Sequence, residues 1–228
     1  MIGQPKDYSE MLKRIFWSTL IVGLICTITL GYKSPGINKL LNISAKEWNL
    51  GPIAFPVISV LIPLGITILL RWITLHDLLS DIFHIREKFE INHILLKLAV
   101  GVNFKIDKNI KIKFKENRTN IMRNTFYKYA ENVDKAVINS QLVSEALDRW
   151  GWFWCFLEAS VIVFLSALIA FWFISLRYAL WYILFFILFI LFATLTYPSC
   201  KKAAKNEVYD ILNDAKRKKE IYKVFDAL

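Results

Sequence analysis

Residues 150–200, WGWFWCFLEASVIVFLSALIAFWFISLRYALWYILFFILFILFATLTYPSC, carry charge only at Glu158 and Arg177. The stretches Ala159–Leu176 and Tyr178–Cys200 are each uncharged and strongly apolar. An α-helix needs roughly 20 such residues to cross the hydrocarbon layer of a bilayer. A water-soluble core has no room for two helices that are apolar all round and set back to back. The stretch therefore predicts a transmembrane hairpin turning at Ser175-Leu176-Arg177.

The whole chain has 228 residues, 56% of them hydrophobic, and a formal charge of +10. That combination implies segregation into apolar spans and polar segments. Residues 72–149 hold 13 lysines and arginines and the tail after Cys200 holds 8, against Arg177 alone at the hairpin turn. By the positive-inside rule the middle segment, the tail and both termini face the cytoplasm. Cys26, Cys155 and Cys200 lie in or beside apolar runs without CxxC spacing, so they read as reduced packing residues.

Upstream, residues 15–32 (IFWSTLIVGLICTITLGY) form a second kind of apolar run, long enough to span and longer than the core of a secretory signal peptide. A further span is expected at about 51–72, with Pro56 and Pro63 on one helix face, as in a kinked gating or pore-lining helix or a simple packing kink. From Leu75 the positions Leu78, Ile82, Ile85, Phe89, Asn92, Leu96 and Ala99 recur by three and four, the pattern of a packed helical seam ending at Gly101. With no Gly or Pro before it, one helix is expected to continue from the second span. In Val102–Glu116, apolar and polar residues alternate on both sides of Asp107-Lys108-Asn109, which predicts a β-hairpin. Helical spacing returns from Met122 to Trp150 and leads into the third span, while residues 201–228 read as one amphipathic helix after a break at Pro198.

The expected fold is mainly α. It comprises a first pair of spans within 1–73, a cytoplasmic helix, β-hairpin and helix domain at 74–149, a second transmembrane hairpin at 150–200, and a C-terminal helix at 201–228. Long helices with wide apolar seams favour a homo-oligomer, with a tetramer as the working stoichiometry.

Glu158 is the first candidate for function, because an ionisable group within a span is costly unless it is paired or hydrated. Copies of it around a symmetry axis would line a cation path, with Pro56 and Pro63 as hinges. The alternative places it at the headgroup level among Trp150, Trp152 and Trp154. The second candidate is a lysine face on the hairpin, Lys105, Lys111, Lys113 and Lys115, continued by Arg118 and Arg123. Clustered cations suit phosphates, and Tyr127 and Tyr129 offer stacking surfaces for bases. The same face also suits anionic lipid, or plain solvation.

His76 and His84 lie about 12 Å apart along one helix, too far to share a metal, so the histidines are expected on a solvated polar face and no metal or cofactor is implied. Arg86 and His93 match the loose R-x6-H pattern of HEPN-type ribonucleases. The sequence holds no P-loop, GxGxxG, GxSxG or HExxH, so a non-enzymatic protein is expected.

The lead NVDKAVINSQLVSEALDRW (132–150), the hairpin after it and the tail KKAAKNEVYDILNDAKRKK (201–219) resemble the layout of SLATT-type two-span effectors of bacterial nucleotide-signalled defence. They are similar also to toxic membrane partners encoded beside nucleotidyltransferases. The resemblance covers under half of the chain. It implies an inner-membrane channel or permeabilising effector in anti-phage defence, set by a nucleotide or oligonucleotide or by a soluble partner enzyme. A membrane scaffold recruiting a soluble partner and a membrane-tethered ribonuclease are the competing functions.

Overall fold

The computed structural model describes residues 4–42, 47–50, 53–107, 109–131 and 133–228. These form a mainly α-helical chain that divides into two compact units. An apolar unit contains Lys13–His76 and Trp152–Leu195, and a charged unit contains the N-terminal residues to Leu12, Asp77–Gly151 and Thr196–Leu228.

The apolar unit is built on α1 (Tyr8–Lys33), α2 (Pro35–Asn42), α3 (Val57–Trp72), and parts of two long helices, α10 (Ser140–Phe173) and α11 (Leu176–Leu212). Three helices, α1, α10 and α11, are long and apolar enough to cross a membrane. The expected fourth span is a broken pair, Val60–Trp72 followed by Leu75–Phe83, parted at Ile73-Thr74. Thr74 has φ 46°, a left-handed conformation that costs a β-branched residue energy and ends the helix. The uninterrupted helix expected from the second span into the next segment is corrected by that break. The start of this span at Gly51 lies outside the described residues. From Ile53 to Pro56 the backbone is a strand, β2, paired antiparallel with β1 (Glu47–Leu50), and the helix begins directly after Pro56.

Small side chains let the helices of this unit approach closely, as is usual where lipid supplies no hydrophobic drive. Thr19, Cys26 and Leu30 of α1 are buried, as are Cys155, Ala159, Val163, Ala167 and Ala170 of α10. A Cβ on Gly23 would stand 3.2 Å from Cβ of Pro63, a ring atom with little freedom to yield. Pro63 also sits one turn before Thr67, whose buried hydroxyl donates to the Pro63 carbonyl at 2.7 Å. The α10–α11 turn falls at Ile174-Ser175, with Leu176 and Arg177 of the expected turn already in α11, and Ser175 N–H donates to Ala170 O. Leu30, Ala170 and Ala179 pack together nearby, and the Thr29 and Tyr182 hydroxyls meet at 2.5 Å.

The charged unit contains most of α4 (Leu75–Phe83), then α5 (Ile85–Phe89), α6 (Leu96–Gly101), α7 (Ile110–Glu116), α8 (Arg118–Met122), α9 (Lys128–Ala130), the other portions of α10 and α11, and α12 (Ala215–Asp226). Two π-helical turns, Glu90–Leu95 and Arg123–Tyr127, interrupt it. The seam expected at Asn92 and Leu96 is displaced. Leu75, Phe89 and Ala99 are buried as expected, but Asn92 is exposed and Leu96 half-buried, and Ile91, Ile94, Leu95 and Leu98 are buried in their place, because the wider π turn resets the helical phase. Leu78 and Ile82, expected in the seam, are exposed.

The predicted β-hairpin at Val102–Glu116 is corrected to a loop and a helix. Asp107 Oδ1 accepts from Asn109 N–H at 2.9 Å, an Asx-type turn that starts α7 instead of folding two strands together. The IxIxF pattern fits both periods, but Ile110 and Phe114, four apart, are buried while Ile112 between them is exposed. Phe114 stacks against Phe225 of α12 at 5.3 Å, and Phe104 against the same ring at 5.6 Å. A strand would have kept all three apolar residues on one face.

Two further boundaries moved. The helix expected from Met122 to Trp150 breaks between Ala130 and Ser140, where loop amides find partners: Val137 N–H donates to Tyr129 O at 3.0 Å and Asn139 N–H to Asp210 at 2.7 Å. Pro198 does not end α11, which continues to Leu212. The tail breaks instead at Asp214, whose carboxylate accepts from Lys216 and Arg217 N–H and caps α12.

Glu207 of α11 is buried, and burial holds its carboxyl well above the usual range. Between the unfolded value and that raised value the folded chain keeps a proton that the unfolded chain has lost, so stability falls as pH rises. Glu207→Gln removes this slope. Its thermal midpoint should match wild type near pH 4.5 and exceed it by several degrees at pH 8, with the gap growing by about 1.4 kcal/mol per pH unit across the window. Parallel melting curves at both pH values check it, and an equal offset at the two would refute it.

Candidate functional site: a charge cluster in the apolar unit

Glu158 lies in the apolar part of α10 with its side chain fully buried. Arg71, in the last turn of α3, donates a charge-assisted hydrogen bond from Nη2 to Glu158 Oε2. His76, at the start of α4, places Nδ1 3.9 Å from Glu158 Oε1 and its ring edge-to-face with Trp154 at 6.2 Å. The Thr19 hydroxyl faces the same carboxylate. Arg14 is buried, with its guanidinium 5.4 Å from the Trp152 ring centre. Cys155, one turn before Glu158, lies within electrostatic reach of Arg14, Arg71 and Glu158 together.

Each of these side chains is placed for a local reason. Arg71 is the one cation of α3, and the break at Thr74 follows it directly, which brings His76 back toward α10. Cys155 and Glu158 are three apart and share one face of α10. The cluster thus sets one guanidinium, that of Arg71, on a single carboxylate in surroundings of low polarity, with Arg14 close to Cys155. Arg71 Nε and Nη1 and Glu158 Oε1 have no hydrogen-bond partner among the described residues. A buried pair with unspent donors and an unspent acceptor costs several kcal/mol to desolvate and is held by geometry more than by net energy.

Sequence reading found Glu158 but left its partners out. The expectation of a solvated face for His76 is corrected: it is buried. Arg71 carried the available signal, as the lone cation at the end of an apolar run within the same chain as a lone carboxylate. Pro63 is buried in the same unit, while Pro56 ends β2 and its side chain lies outside the described residues.

In the charged unit the structure redistributes the proposed lysine face. On helical α7, Lys111 and Lys115 share a face and Lys113 lies on the other side. Lys115 binds Glu87 at 3.0 Å and holds that carboxyl below its ordinary range through the hydrogen bond. Lys105, Lys111 and Arg123 are exposed and apart from one continuous strand face.

Arg118 is taken into a buried network instead. Glu90 is 5% exposed and opens the first π turn. It accepts from Arg118 Nη1 at 2.9 Å, from Arg86 Nε at 2.8 Å, and from the hydroxyl of Tyr127, the last residue of the second π turn, at 2.7 Å. Arg86 also donates to the Tyr127 oxygen at 3.1 Å. Burial opposes the Arg86 charge, but Tyr127 and Glu90 more than offset it and hold the guanidinium above its ordinary value. Burial and Glu90 push the Tyr127 phenol up. Arg86 is thus committed to Glu90 and Tyr127. His93 packs on Phe89 at 5.3 Å and Tyr197 at 6.5 Å. Among the described residues no group of three or more His, Cys, Asp and Glu is placed to hold a metal.

Helices of spanning length with a charge cluster enclosed among them are the marks of a helical membrane protein. The chain belongs to the YmfE protein family, whose model matches residues 7–224. No curated protein and no solved structure matches it.

Proposed function

We propose that the protein is a non-enzymatic inner-membrane channel or permeabilising protein, working as a homo-oligomer with both termini in the cytoplasm, whose closed state is latched by the Arg71–Glu158 pair. The observation that carries this reading is the fully buried Glu158 with Arg71 bound to it and polar atoms of both left unpartnered. In the closed state the two charges neutralise each other away from water. Opening separates them, and water then solvates the unspent groups and lowers the cost of an ion beside them. A signal opens the protein only in so far as it favours the separated arrangement over the paired one. The excess of lysine and arginine in residues 72–149 and after Cys200 supports the cytoplasmic orientation.

Potassium release from liposomes reconstituted with the full chain tests the proposal. Arg71→Gln weakens the latch and should raise basal flux about tenfold, equivalent to about 1.4 kcal/mol in the closed–open equilibrium. Absence of flux from wild type and variant alike, with protein insertion verified, would sink the channel reading.

A further inference from the structure

A second set of cations is gathered in the charged unit beside the ends of the apolar stretches. Trp150 precedes one stretch and Tyr197 lies near the end of the other, and both rings pack on Phe89, at 4.5 and 5.8 Å. One turn beyond Phe89 stands His93, and one turn further Lys97. On α11, Lys201 follows the apolar run directly and Lys205 is one turn on. The Lys201 ammonium lies 4.6 Å from the Tyr197 ring centre and that of Lys205 5.3 Å from the Tyr209 ring centre.

None of His93, Lys97, Lys201 and Lys205 forms an ion pair with a described residue. They nevertheless feel one another. Burial and then Lys205 hold the Lys97 ammonium below its ordinary value, and burial, Lys201 and Lys97 do the same for His93. His93 thus lies beside three lysines, and none of the four has a counter-ion among the described residues. Such crowding is unfavourable until an anion enters.

We propose that His93, Lys97, Lys201 and Lys205 bind the phosphate of an anionic lipid headgroup. A lipid is favoured over a soluble anion by position. Lys201 begins where the uncharged run Tyr178–Cys200 stops, and Trp150 and Tyr197 are residue types that settle at the headgroup level of a bilayer. Basic groups just outside a span meet lipid phosphates at high local concentration. The inference is independent of channel activity.

The test uses the full-length protein in dodecyl maltoside micelles, with thermal midpoints followed as phosphatidylglycerol, phosphatidylcholine, inorganic phosphate or a 20-nucleotide DNA is added. Phosphatidylglycerol should raise the midpoint saturably, and the other three should not. A lysine near an anionic surface contributes about 1 kcal/mol, or about fivefold in affinity. Lys205→Gln should therefore weaken phosphatidylglycerol binding about fivefold and the triple change Lys97→Gln, Lys201→Gln, Lys205→Gln about a hundredfold, while Lys111→Gln leaves it unchanged. Unaltered lipid binding in the triple variant overturns the proposal. So does a shift by inorganic phosphate or DNA as large as that by phosphatidylglycerol. If the triple variant does not fold, Lys205→Gln decides: full affinity there refutes the site.

Discussion

Glu158→Ala should destabilise the detergent-solubilised protein by about 3–5 kcal/mol, the usual penalty for removing one partner of a buried ion pair. The Arg71 side chain is 18% exposed, so without Glu158 its guanidinium stays largely out of water with no counter-charge. His76 then faces the vacated position beside Trp154. Arg71→Ala strands the fully buried carboxylate and should cost a similar amount. The double change Arg71→Met with Glu158→Gln should recover most of the loss, since an uncharged pair of similar volume is often as stable as a buried ion pair. Melting wild type, Arg71→Met, Glu158→Gln and the double change in one detergent completes the cycle. Strictly additive single effects would show that the two groups do not act as a pair.

Glu90→Ala is the second large effect. It removes the acceptor shared by Arg86, Arg118 and Tyr127, leaving two guanidiniums and a phenol to find other partners. Arg86 is about half exposed and recovers solvent, whereas Arg118 is one quarter exposed and recovers less. A loss of about 3 kcal/mol is expected in urea denaturation, with helicity at the two π turns reduced. Glu90→Gln keeps an acceptor oxygen and should cost roughly half as much. Tyr127→Phe removes one hydrogen bond and should cost about 1 kcal/mol. Equal losses for Glu90→Ala and Glu90→Gln would mean that the charge itself, and not the acceptor geometry, sets the stability.

What the sequence revealed and concealed follows from how each signal is encoded. The mainly helical class and three helices long and apolar enough to span were legible because long uncharged runs leave few alternatives in lipid. The α10–α11 turn was legible for the same reason. The broken fourth helix was not, because the left-handed residue is Thr74, a residue type that gives no turn signal. The false β-hairpin arose because Ile110, Ile112 and Phe114 satisfy period two, while Phe114 packs on Phe225, more than a hundred residues away, and Ile112 stays exposed. Glu158 was visible as a lone charge, yet Arg71 and His76 were not visible as its partners. Their approach depends on a chain break and on packing between helices distant in sequence. The lysine face failed with the strand on which it was drawn.

The two π turns have a consequence for how this chain tolerates change in length. Each turn holds about one more residue than an α-helical turn would, like a dislocation trapped in a regular lattice. The side-chain stripe on either side is offset by roughly 100°, the rotation of one helical residue. The Glu90–Tyr127 hydrogen bond joins the first residue of one dislocation to the last residue of the other. Losing one residue from either turn would heal that helix locally, but it would rotate everything on one side away from its partners. In these two segments the number of residues is therefore as constrained as their identity.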